Sequence, residues 1–178
     1  MEANPYESAE LLGQYLVFHY APEKLQFPYD LAARDAAGFP QKCVSAGLDL
    51  AKIGDKERAL DLGCSVGRST FELARHFTEV IGIDYSEAFV DAANLLKQDG
   101  RRPATLHEEG ERVRRIEVEV DSSIERDRVS FERGDAQELR PDLGSFNAVI
   151  ACNLICRLAD PKALLEHLPS LVKPGGQL

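Results

Sequence analysis

Residues 58–67 read Arg58-Ala59-Leu60-Asp61-Leu62-Gly63-Cys64-Ser65-Val66-Gly67. The first five form a short, mostly apolar strand. Gly63 ends it, lets the chain turn sharply and leaves room for a ligand to approach the backbone. Gly67 lets the following helix pack closely at its start. That helix is predicted over 66–77, with Phe71, Ala74 and Phe77 on one side. A second strand follows, Glu79-Val80-Ile81-Gly82-Ile83-Asp84. Ser86 is then placed to cap a helix, with Glu87 in its positive first turn. Phe89, Ala92, Ala93 and Leu96 give that helix a clean apolar stripe.

The same alternation continues downstream. Val129–Arg133 is a third strand, closed by Gly134-Asp135-Ala136, and Phe146–Ala151 is a fourth, buried one. Asp160-Pro161 is a strong helix start, and Leu164, Leu168 and Leu171 form the buried stripe behind it. Lys173–Gly176 reads as a sharp turn before a further strand beginning at Gln177. Strands alternating with helices predict an α/β fold, a parallel sheet with right-handed crossovers and helices on both faces. Ligands of such sheets bind beyond the carboxyl ends of the strands.

Upstream, residues 1–57 read as an N-terminal helical cap on a core spanning 58–178. A helix is predicted over 8–18 and another over 40–52, the second with Val44, Leu48 and Ala51 on one face. Residues 21–31, with Pro22 and Pro28, read as a loop. Residues 98–127 form a charged insertion in which Ile116, Val118 and Val120 alternate with polar residues, the pattern of a β-ribbon with one wet face. Both a solvated surface hairpin and a lid over a substrate fit that pattern.

The chain has 178 residues, 44% hydrophobic and 29% charged, which suits one globular domain. No run approaches the ~18 apolar residues of a membrane span, and residues 1–30 show no basic segment leading into an apolar one. The net charge of −9 argues against nucleic acid as a partner. Cys43, Cys64, Cys152 and Cys156 form no CxxC pair, and the four histidines do not stand at metal-ligand spacing beside them. Free thiols in a reducing cytoplasm, with no metal site, are expected.

Asp84 stands 21 residues after Gly63, where a carboxylate can accept from both hydroxyls of a ribose. A dinucleotide site needs GxGxxG; here the spacing is GxxxG, with Ser65 in the middle. Asp61, just before the turn, would repel a pyrophosphate but suits a cofactor carrying an amino group. Asp135 can accept from an adenine amino group. A nicotinamide-dependent oxidoreductase and a binding module without catalysis are the competing classes.

These residues carry a resemblance. LDLGCSVG (60–67), VIGIDYS (80–86), RGDA (133–136), FNAVIACNL (146–154) and LVKPGGQL (171–178) together resemble a class I S-adenosylmethionine-dependent methyltransferase. The family usually has glycine where Ser65 stands. The resemblance implies S-adenosylmethionine as cofactor. Asp61, Gly63, Cys64, Ser65 and Gly67 would lie along its methionine part, Asp84 at the ribose, Tyr85, Asp135 and Ala136 at the adenine, and Asn153 near the methyl group. It also implies a sheet of seven strands, of which 178 residues hold four and the start of a fifth. The fourth strand is therefore expected as an unpaired edge exposing Val149 and Ile150, in a chain that stops short of the full fold.

A narrower resemblance links residues 4–20 (NPYESAELLGQYLVFHY), 62–76, 153–161 and 168–178 to the methyltransferase module of ovothiol biosynthesis, which stands at the C-terminus of the sulfoxide synthase. It implies a small-molecule acceptor, a ring nitrogen of a thiol-histidine. Asn153, Tyr20 and Tyr6 are the candidates to touch that acceptor. His19 and Tyr20 follow an apolar stripe and suit either core packing or contact with the acceptor, as do Tyr6 and Tyr85, and Arg68 suits either an acidic partner or solvent.

Overall fold

The computed structural model describes residues 4–27, 29 and 34–178. Pro28 and residues 30 and 31 of the predicted loop lie outside them. Helix α1 runs over Ala9–Tyr20 and starts where predicted, with the Ser8 hydroxyl accepting from Leu11 N–H at 3.2 Å. The loop expected after it contains one helical turn, α2, Glu23–Gln26. Helix α3 covers only Phe39–Ser45, shorter than predicted. A Cβ at Gly47 would stand 2.3 Å from the Cys43 carbonyl oxygen, so the chain folds back over the helix end at a residue without a side chain. Leu48 is still buried, but from outside the helix, and Ala51 is exposed.

Strand β1 (Arg58–Leu62) leads through the glycine turn to α4 (Arg68–Leu73). This helix starts later than predicted, because Gly67 at φ +85° is not a helical residue, and it ends at Leu73 rather than at 77. Strand β2 is Glu79–Asp84, and α5 is Glu87–Asp99. The Ser86 hydroxyl caps α5 by accepting from Phe89 N–H at 3.2 Å. Strands β3 (Arg101–His107) and β4 (Val113–Glu119) form a separate antiparallel ribbon. Its Ala104 and Val118 are buried, and a Cβ at Gly13 of α1 would stand 3.3 Å from the Thr105 carbonyl oxygen. The ribbon thus packs on α1. Then come β5 (Val129–Arg133), β6 (Phe146–Ile150), α6 (Pro161–Leu171) and β7 (Val172–Gln177).

The main sheet has order β5-β2-β1-β6-β7 and is parallel throughout. Alternate strand residues feed two cores. Ala59, Val80, Phe131 and Ala148 pack with α3, α4 and α5; Leu60, Leu62, Ile81 and Val149 pack with α6. Helices therefore cover both faces, the Rossmann-like arrangement the sequence predicts.

The end of the sheet differs from expectation. β6 is not an edge: β7 pairs with it, and Val149 and Ile150 are 0% and 6% exposed. The Lys173–Gly176 stretch lies inside β7 as an irregularity, with Gly175 at φ +78° and a register shift opposite Phe146 and Ala148. Glycines that read as a turn serve here to bend a strand. No helix among the described residues is long and apolar enough to cross a membrane.

Candidate functional site

The sheet order reverses at β1: β2 and β5 lie to one side, β6 and β7 to the other. The register sets Leu62 beside Ile83 and Asp61 beside Ile150, so three strands end level. Beyond those ends opens a cleft of about 950 Å³. It is the switch-point crevice of such sheets.

One wall is the turn after β1 and the end of β2. Asp84 accepts from Ser65 N–H at 2.8 Å through one carboxylate oxygen and from Ser86 N–H at 2.9 Å through the other. Burial raises its pKa, and those main-chain donors counter the rise. Each oxygen keeps a lone pair for a ligand. Ser65 stands at φ +51°, the left-handed region that favours glycine. The serine therefore adopts the backbone shape of the family's glycine. Its Oγ is buried with no partner among the described residues. Gly63, at φ +73°, passes so close to Leu154 that a Cβ would stand 3.0 Å from its Cδ1.

Asp61 is 2% exposed. Ser69 and Thr70 at the start of α4 donate their hydroxyls to one of its oxygens at 2.6 and 2.7 Å. Burial nevertheless pushes its pKa up to about 6. Cys64 is buried and its thiol pKa is pushed well up by burial, which fits an inert packing group.

The far end of the cleft takes Tyr85, Asp135, Ala136 and Asn153. Tyr85 is 58% exposed, with the Arg133 guanidinium 5.9 Å over its ring. Asp135 accepts from Gln137 N–H at 2.8 Å. Among the described residues Asn153, three residues after β6, is the other non-glycine residue at positive φ, +55°. Both strained side-chain-bearing residues thus lie on the cleft, where such strain tends to collect.

Two predicted site residues are elsewhere. Gly67 packs: a Cβ there would stand 2.6 Å from the Phe131 ring, so its role is close helix–strand contact. Tyr20 is a brace: its hydroxyl donates to the Val66 carbonyl at 2.7 Å, and Arg68 lies 5.4 Å over its ring. Neither lines the cleft. Tyr6 does, edge-on to Phe89 at 5.7 Å.

Residues that sequence reasoning missed complete the second wall. Tyr15 from α1, Phe39 and Cys43 from α3, and Arg157 after β6 all line the cleft. The Cys43 and Cys152 thiols share a hydrogen bond that holds Cys43 below and Cys152 above the usual thiol range. No local motif marks any of them; they meet only in the fold.

The chain belongs to the methyltransferase domain family, whose model matches residues 60–178. It is 25% identical over 122 residues to a ubiquinone biosynthesis O-methyltransferase of Coxiella burnetii, covering 68% of this chain and 42% of that protein. It is 29% identical over 182 positions to an uncharacterized 37.1 kDa protein of a Streptomyces fradiae transposon, covering 100% of this chain and 44% of that one. In structure it is similar to the magnesium protoporphyrin IX methyltransferase of Synechocystis with bound SAH, at TM-score 0.58 and 19% identity over 94% of this chain and 65% of that one. The chain spans less than half the length of these two curated relatives. S-adenosylmethionine is the cofactor that goes with the family, and the donors present fit it: a fixed carboxylate at 84, an orphaned hydroxyl at 65 and a deep acid at 61.

Proposed function

We propose that the cleft binds S-adenosylmethionine and that the protein transfers its methyl group to a small molecule. The observation that carries this is Asp84, held by two main-chain N–H groups with lone pairs left over at the end of β2. In this reading Asp84 accepts from the ribose hydroxyls. Asp61 pairs with the amino group of the methionine part, beside the Gly63-Cys64-Ser65 turn. Asp135 and Ala136 meet the adenine edge, and the Tyr85 ring covers its face. Gly67 and Tyr20 support the site from behind.

Bound there, the cofactor supplies an electrophilic methyl group on a sulfonium that leaves as a neutral thioether and needs no proton. The protein then has to align the acceptor and keep water out. Asn153 stands on the acceptor side, with Tyr6 across from it. The acceptor we favour is a ring nitrogen of a thiol-histidine. The support is the resemblance of residues 4–20 and 153–178 to the ovothiol module, together with the aromatic second wall, which suits a flat ring. A neutral imidazole nitrogen attacks without a base, and the N-methylimidazolium formed gives its ring proton to water. A reducing cytoplasm suits the four free thiols.

The test is to incubate the protein with S-adenosylmethionine and 5-thiohistidine and look for the mass of one added methyl group. A methylated imidazole nitrogen supports the reading. Methylation at sulfur, or of a catechol only, would reassign the acceptor.

A further inference from the structure

His19 lies on α1 one turn after Tyr15, in the wall of the cleft. It is 8% exposed, and its Nδ1 is sealed off with no partner among the described residues. Nε2 is not sealed off, and no described residue bonds to it, so it is the polar atom the ring offers to the cleft. Buried polar groups in folded proteins almost always have a partner. A nearly buried imidazole without one, on the wall of a binding cleft, has its hydrogen bond left for a ligand.

The surroundings define what that ligand is. Tyr15 lies 5.8 Å away, tilted by 36°, and Phe18 meets the ring edge-on at 5.5 Å. Phe39 stacks on Phe18 at 6.3 Å. These are faces for a flat ring. Burial and the nearby Arg68 push the imidazole down to about 3, so it stays uncharged and does not repel a sulfonium.

We propose that His19 determines acceptor specificity, hydrogen-bonding an edge heteroatom of a flat heteroaromatic or phenolic acceptor that lies against Tyr15 and Phe39. This rests on the methyl-transfer reading above. For an imidazole acceptor the consequence is chemical as well as steric. When His19 Nε2 accepts from the single N–H of a neutral imidazole acceptor, that bond fixes the tautomer and leaves the lone pair of the other nitrogen for the methyl group.

The experiment is calorimetric titration of 5-thiohistidine, and in parallel a catechol, into protein saturated with S-adenosylhomocysteine. Wild type, His19→Phe and His19→Gln are compared. The Phe variant is expected to weaken acceptor binding about tenfold, the scale of one hydrogen bond lost to an uncharged partner. The Gln variant is expected to restore most of it. S-adenosylhomocysteine affinity and Tm should stay at the wild-type level in both. Unchanged acceptor binding in His19→Phe would overturn the inference, as would a parallel loss of both ligands. Loaded wild type that binds neither ring would overturn the acceptor class. Wild type that fails to bind S-adenosylhomocysteine would instead bring down the methyl-transfer reading, and His19 with it.

Discussion

The wall of the cleft at the ends of β1 and β2, which we propose holds the cofactor, is held by main-chain atoms. Ser65 and Ser86 N–H fix Asp84, and Gly63 N–H and Cys64 N–H both donate to the Ile83 carbonyl at 2.8 and 3.1 Å. The opposite wall, on α1 and α3, is held by side chains: rings in contact, a tyrosine hydroxyl on Val66, and thiols on each other. A wall of main-chain bonds tolerates little change in the backbone. A wall of rings can be repacked. We therefore expect substitutions that strain the backbone of the first wall to weaken folding, and those on the second wall to alter the acceptor alone.

Gly67→Ala should have the largest effect. It forces a Cβ into the Phe131 ring at φ +85°. Left-handed strain and overpacking together cost roughly 3 to 5 kcal/mol, a large part of a domain's usual 5–15 kcal/mol. Urea unfolding should show this loss. A near-native midpoint would mean the first wall is softer than described.

Asp61→Asn separates stability from binding. A carboxyl raised from 3.8 to about 6 on folding destabilises the ionised fold by about 3 kcal/mol. The sign follows from tighter proton binding in the folded state. That cost is absent below pH 3.8, grows as the pH rises to about 6 and is complete above it. At pH 7 the Asn variant should therefore unfold at a higher temperature than wild type, while its S-adenosylmethionine affinity falls more than tenfold. Wild-type affinity should also rise between pH 5 and 7 as Asp61 ionises, and the variant's should not. A variant that is less stable and still binds would remove Asp61 from the site.

Ser65→Val places a β-branched side chain at φ +51°, and we expect a loss of about 1 to 2 kcal/mol, read by thermal unfolding. Tyr20→Phe deletes the bond to Val66 and should cost about 1 kcal/mol with cofactor affinity unchanged, since Tyr20 is a brace. Gly13→Ala, where α1 meets the ribbon, should be nearly neutral. Helix propensity gains about 1 kcal/mol, and the 3.3 Å approach to Thr105 offsets it.

The same contrast governs what was legible beforehand. The three inner strands β2, β1 and β6 read correctly because both faces of a parallel sheet are buried, leaving near-continuous apolar runs; β5, at the end of the sheet, was marked by Val129, Phe131 and the closing Gly134. The turn after β1 and the end of β2 at Asp84 were legible as strand ends because local glycine and apolar spacing mark them. The end of α3 and the start of α4 were not, since the chain folds back at Gly47 and Gly67 stands in the left-handed region, where the apolar spacing would continue a helix. β7 was hidden by Pro174, Gly175 and Gly176, which carry a turn signature inside a strand. Cys43 was illegible as a cleft residue, and His19 read equally as core or acceptor contact, because nothing local distinguishes a cleft residue from a core one. Tyr20, one position after His19, went the other way, into the core.

The central claim is that the cleft beyond β1 and β2 is a cofactor site centred on Asp84. Calorimetric titration of the purified protein with S-adenosylmethionine, alongside NADH and the Asp84→Ala variant, tests it directly. The expected result is micromolar binding by wild type, at least a tenfold loss in Asp84→Ala and no response to NADH. Binding that survives Asp84→Ala, or folded wild-type protein that binds only NADH, would contradict it.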